Sequence, residues 1–81
     1  MQSAKIDGDK LRALREQHEL TTTELAALVS VQMGRAVHQS TITKYEMGRR
    51  QPRPKMYGAI CRVLRCEKSA LLAERPVAKA S

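Results

Sequence analysis

Apolar positions along the chain recur at three- and four-residue spacings, and no stretch alternates long enough to predict a strand. Leu11 and Leu14 share one face behind Asp7 and Asp9, either of which can cap a first helix. His18-Glu19 closes that helix, and Leu20 reads as a buried connector. Thr21-Thr22-Thr23-Glu24 has the form of a capping box, opening a second helix that turns Leu25, Leu28 and Val29 inward. A third helix is predicted from Gln39 to Glu46, with Ile42 and Tyr45 as a narrow apolar face and Gly48 suited to a left-handed C-cap. The prolines of Gln51-Pro52-Arg53-Pro54 force an extended connector. A fourth helix from Pro54 or Lys55 carries Tyr57, Ile60, Cys61 and Leu64 as one stripe, flanked by Met56 and Val63. Glu67 is placed to cap a short fifth helix holding Leu71 and Leu72.

The expectation is therefore an all-α fold, a compact bundle of about five short helices. Residues 1–5 read as a flexible N-terminus, 6–74 as the folded domain, and 75–81 as a disordered tail, since Arg75 to Ser81 has no apolar periodicity and contains Pro76. Composition supports packed helices: the chain has 81 residues, no Trp, no Phe and only Tyr45 and Tyr57, so the core must be aliphatic. No apolar run approaches the roughly 20 residues that span a bilayer, and Met1-Gln2-Ser3-Ala4-Lys5 lacks a signal-peptide core, which predicts a cytoplasmic protein with no membrane partner. Cys61 and Cys66 stand five apart, a spacing that fits neither a redox pair nor a zinc knuckle, and His38 has no partners for a metal. No cofactor or metal is expected, and no Ser/His/Asp or Cys/His set or phosphate-cradling glycine loop suggests an enzyme.

Charge changes this picture. The formal net charge is +7, and it is concentrated: from Leu25 to Cys66 there are eight bases and one acid, Glu46, while the rest of the chain balances at seven of each. A localised cationic surface attracts polyanions through counterion release. Its centre coincides with the third helix, where Gln39, Ser40, Thr43 and Lys44 turn away from the apolar face. Short polar side chains of this kind can donate and accept toward base edges in a DNA major groove: Gln pairs with adenine, Ser and Thr bond any base, and Lys reaches guanine or a phosphate.

Three stretches in order resemble the lambda-repressor-like (Cro/Xre) helix-turn-helix family over residues 6–73: Leu11-Arg12-Ala13-Leu14-Arg15-Glu16, Leu20-Thr21-Thr22-Thr23-Glu24-Leu25-Ala26, and Ser40 through Pro52. The resemblance implies a helix-turn-helix whose recognition helix, 39–46, enters the major groove with Gln39, Ser40, Thr43 and Lys44 facing bases. It implies phosphate contacts from Thr22, where the family often has Gln, and from Thr41, Arg49, Arg50 and Arg53; Arg35, beside Gly34 in a stretch where the chain departs from the family, is placed to add another. It also implies an ion pair between Arg15 and Glu46 that fixes the recognition helix. The family often has glycine where Glu19 stands.

One departure is visible. Thirteen residues, Ala27 to Gln39, separate Leu25-Ala26 from Ser40-Thr41-Ile42, where a turn of about three or four residues usually joins such helices. Either the second helix continues through Val31, Gln32 and Met33, or a longer loop, Gly34-Arg35-Ala36-Val37, follows it. Ser30 also replaces the glycine common at that turn. The function implied is a sequence-specific double-stranded DNA regulator, a repressor, acting as a homodimer on an inverted repeat with half-sites about 34–36 Å apart. The alternative is an antitoxin-like or scaffold protein-interaction module without specific DNA readout.

Overall fold

Asp7 starts the first helix. Its carboxylate accepts from the amides of Asp9 and Lys10 at 2.9 and 3.4 Å, and α1 runs Gly8–Gln17. The structure, a computed structural model, describes residues 5–73. The capping box forms in full, with Glu24 N donating to Thr21 Oγ1 at 3.0 Å and Thr21 N donating to Glu24 Oε1 at 2.9 Å, and α2 runs Thr22–Met33. α3 (Gln39–Glu46) and α4 (Pro54–Leu64) follow, then a 3-10 helix, Lys68–Leu71. The fifth helix is thus a single tight turn. Glu67 stands before it without a side-chain cap bond, and Leu72 lies beyond it. Among the described residues the β pairing is one antiparallel bridge, Ile6 to Leu72.

α4 lies against α2, and α2 and α1 both pack on α3. Leu11, Leu25, Val29, Ile42, Ile60, Leu64 and Leu71 meet between these elements with almost no exposed surface. Burial of each such side chain contributes about 1.5–3 kcal/mol. One inward assignment differs from the sequence pattern. Ala26 is buried while Leu28 is 44% exposed, because α2 packs on α3 and α4 through the arc holding Leu25, Ala26, Val29 and Met33. Leu28 falls on the other side of Leu25 in that wheel.

The lengthened connection is now resolved. α2 does continue through Met33, and Gly34, at φ 72, turns the chain in the left-handed conformation that glycine adopts without strain. Residues 34–38 then lead to α3. Ser30 organises this loop: its hydroxyl donates to the Ala26 carbonyl at 2.7 Å and accepts from Val37 N at 2.8 Å. Glu19, by contrast, holds φ 59 without being glycine, a local cost that explains why a glycine suits that turn.

The ends of the described chain are tied together. Asp7 N donates to the Leu71 carbonyl and Ala73 N to the Lys5 carbonyl, so Lys5, expected at the edge of a loose N-terminus, is hydrogen-bonded. The remaining residues of that expected N-terminus and the expected tail 75–81 lie outside the described residues. At the far end of α4, Cys66 N bonds the Cys61 carbonyl at 3.1 Å and Arg65 N the Arg62 carbonyl at 3.4 Å, the Schellman arrangement. It sets the free cysteines Cys61 and Cys66 as that motif's apolar contact.

Gly8 marks the closest helix approach. A Cβ there would lie 2.1 Å from the Glu46 carbonyl oxygen and 2.9 Å from that of Tyr45. Backbone cannot yield as a flexible side chain does, so Gly8→Ala should destabilise the protein by about 1–3 kcal/mol or more; an unchanged urea-unfolding midpoint would refute the close packing. A second expectation concerns alkaline pH. Burial pushes the Tyr57 hydroxyl from 10.0 up to about 12 and the Cys61 thiol from 9.0 up to about 11. Both folded values exceed the unfolded ones, so this stability is present below pH 9 and is lost as pH rises from 9 toward 12. Urea titrations across that range should show the decline, and Tyr57→Phe should remove the part above pH 10.

Candidate nucleic-acid interface

α3 is held by a charge pair at its last turn. Glu46 is 9% exposed, and Arg15 reaches it from α1 with two bonds, Nε to Oε2 at 2.6 Å and Nη2 to Oε1 at 3.2 Å. The third guanidinium nitrogen, Nη1, donates to the Leu20 carbonyl at 2.8 Å, so one side chain joins α1, the α1–α2 turn and α3. The hydrogen bond to Glu46 raises the Arg15 pKa above its already high value. Arg12, half exposed, adds a second cation 3.6 Å from Glu46. The expected ion pair is therefore present, and sequence spacing alone did not anticipate Arg12.

At the opposite end, His38 caps α3. Its Nδ1 accepts from Ser40 N at 3.1 Å, the role its position suggests. Gln39 follows, half-buried, and its Nε2 donates to the hydroxyls of Thr22 on α2 at 3.1 Å and Thr43 one turn along α3 at 3.0 Å. Thr43 in turn donates to the Gln39 carbonyl at 3.3 Å. Three residues expected at the interface thus form one cluster across the two helices, with Ser40 half-buried and Lys44 exposed on the same helix. Among the described residues nothing protein-borne bonds Gln39 Oε1, which leaves that oxygen as the free acceptor.

The remaining expected residues divide. Arg35, Thr41, Arg50 and Arg53 line a cleft between the 34–38 loop and the α3–α4 connector. Arg49 is exposed in that connector, its amide donating to the Lys44 carbonyl, and does not line the cleft. Thr41 therefore belongs with the arginines rather than with the Gln39 cluster. The connector itself is anchored by Gln51, whose Oε1 accepts from Ile6 N at 2.8 Å. Neither that anchor nor the Gly8 contact carried a sequence signal, because each depends on a partner 38 or more positions away that only the fold supplies.

A helix-turn-helix domain family model matches residues 8–74. The chain belongs to that family. In this helix-turn-helix protein α2 and α3 are the paired helices, and the lambda-repressor-like resemblance read from the sequence agrees with the fold. The chain is similar to the P22 c2 repressor, crystallised in complex with synthetic operator 9T in the presence of Tl+. The TM-score is 0.68 at 22% identity, covering 79% of this chain and 89% of that one. No curated protein matches the chain. Among the described residues no helix is long and apolar enough to cross a membrane.

The charge pair generates a test. Glu46→Gln strands the Arg15 guanidinium in a largely buried site and should cost roughly 3–5 kcal/mol. Replacing both partners with methionine should restore much of the loss, since no unpaired charge then remains. Denaturant unfolding of the single and double variants decides it: a Glu46→Gln midpoint equal to the parent's would rule out the pair as a structural fixture.

Proposed function

We propose that this protein is a sequence-specific double-stranded DNA-binding transcription regulator, a repressor, that inserts α3 into the major groove. The carrying observation is the Thr22–Gln39–Thr43 cluster, which holds a recognition-type glutamine in one place at the mouth of α3 before any ligand arrives. The cluster orders the side chain at the groove face, which lowers part of the ordering cost of binding, while one of its two Nε2 bonds is exchanged for the base. The similar P22 c2 repressor was solved with an operator bound, which supports the same partner here.

In this reading Gln39, Ser40, Thr43 and Lys44 face bases. Gln39 Oε1 accepts from an exocyclic amine, and the two-bond pairing with adenine requires Nε2 to leave one threonine hydroxyl. Thr22 keeps a hydroxyl proton for a phosphate. Arg35, Thr41, Arg49, Arg50 and Arg53 contact the sugar-phosphate backbone on the other flank. A two-fold dimer on an inverted repeat fits the family. A second reading, an antitoxin-like or scaffold module, is favoured by one feature: Leu28 and Val31 stand 44% and 77% exposed on α2.

Competition between a selected duplex and random duplex at fixed salt separates the two. A regulator should prefer the selected site by about 10³-fold or more, whereas equal competition would sink the specific reading. Within it, Gln39→Ala should relax preference at one base pair and cost on the order of 1–3 kcal/mol. Arg50→Ala should weaken all sequences alike and lower the salt slope by about 1.

A further inference from the structure

We propose that the cleft between the 34–38 loop and the α3–α4 connector is a binding site for a small organic phosphate, a phosphoryl group carried on a compact apolar body. The cleft, open to solvent on one side, offers about 850 Å³, within the few-hundred to about 1,000 Å³ typical of small-molecule sites. Its walls carry Arg35, Arg50, Arg53 and Lys55, and no acidic residue lines it. Its apolar surface comes from Met33, Val37 and Met56.

The observation that points to a ligand is Tyr45. The residue is 4% exposed, yet it lines the cleft, and its hydroxyl has no hydrogen-bond partner among the described residues. A phenol hydroxyl that borders a cleft and has no protein partner is free to donate to and accept from whatever enters it. Burial raises the Tyr45 pKa, an effect that the positive charges of Arg50 and Arg35 oppose. The hydroxyl is therefore a neutral donor at neutral pH, and both arginines lie close enough to act on it. A donor set of two or more guanidinium forks, an ammonium and a phenol exceeds what one carboxylate accepts. It matches the three oxygens and near-double charge of a phosphate monoester.

A DNA phosphate alone does not account for the site. It would use the rim cations but leave Met33, Val37 and Met56 uncovered, whereas an apolar body attached to the phosphoryl group would bury them. The loop that makes the site is the extension between α2 and α3, which supplies Arg35, Ala36, Val37 and His38. Ser30 fixes that wall through Val37. Because Arg35, Thr41, Arg50 and Arg53 are also the proposed backbone contacts, an occupied cleft excludes DNA from this flank. That coupling rests on the DNA reading; the binding site does not.

The test titrates the full chain, without DNA, with phenyl phosphate and separately with inorganic phosphate at constant ionic strength, by calorimetry and backbone-amide NMR. Phenyl phosphate should bind one to one and shift amides of residues 34–38, and inorganic phosphate should bind at least about tenfold more weakly, lacking the apolar body. Tyr45→Phe should weaken phenyl phosphate about three- to tenfold and Arg35→Ala about ten- to a hundredfold. Lys68→Ala, a lost cation outside the cleft, should leave it unchanged. Absence of saturation, equal binding of the two anions, or parent-like affinity in both cleft variants overturns the site. The second arm adds phenyl phosphate to a preformed duplex complex. If the anion binds but no duplex shows preference, the DNA reading fails and the site stands. If a selected duplex binds and the anion does not, the reverse holds.

Discussion

The position of α3 depends on one buried carboxylate. Glu46 sits in the last turn of the helix, where the macrodipole is negative and disfavours an acid, and it is withdrawn from water. It is tolerated only because Arg15 offers two parallel bonds to it and Arg12 adds a second cation. A buried ion pair of this kind contributes little net stability over an apolar pair, but it is intolerant of displacement, since a shifted partner leaves a bare charge. The remaining Arg15 nitrogen on the Leu20 carbonyl ties the same constraint to the entry of α2. Gly8 completes it by letting the start of α1 touch the carbonyls at the end of α3. The recognition-type helix is thus locked at its C-terminal end by charge and backbone contact. Its N-terminal end is held by a threonine cluster and a histidine cap.

The extended α2 alters what lies beside that helix. With α2 running to Met33, the chain must turn back through Gly34 before α3 can begin, and the returning loop stands off from the connector after Gly48. Two loops separated across one flank of a short helix leave a gap, and this gap is the cleft. Val37, on the loop side of this gap, is bonded to Ser30. A three- or four-residue turn would bring the loop directly onto α3 and remove Arg35 from this position.

The sequence made most of the helical framework legible because its signals are local. Asp7, the Thr21–Glu24 box, Gly48 and Pro54 each act within one turn of themselves, and each marks a boundary in the structure, whereas for the end of α2 at Gly34 the sequence allows two readings. The Arg15–Glu46 pair came from family resemblance, since no spacing rule joins positions 31 apart. What stayed hidden needs three dimensions. Gln51 on Ile6, Gly8 on Glu46 and the closed Ile6–Leu72 ends have no local pattern. Leu28 was misplaced for a related reason: periodicity defines an apolar arc, but the neighbours decide where its edge falls. The candidate interface was legible as a set of residues and illegible as a geometry. Only the fold shows that Thr22 meets Gln39 while Thr41 sides with the arginines.

α3 has eight residues and serves three environments at once. Ile42, Glu46 and the ring of Tyr45 face the core; Gln39, Ser40, Thr43 and Lys44 form the polar face; and His38, Thr41 and the Tyr45 hydroxyl border the cleft. So short a helix is marginal on its own propensity, and its stability must come from tertiary contacts. That dependence has a mechanical consequence. Tyr45 belongs both to the core and to the cleft, one turn from Thr41 and adjacent to Glu46. A group bound at its hydroxyl, as proposed, would touch the same residue that seats the helix. Packed cores shift between discrete arrangements rather than deforming smoothly. The cleft and the polar face thus share one short helix, and Tyr45 is the residue that borders the cleft while its ring lies in the core.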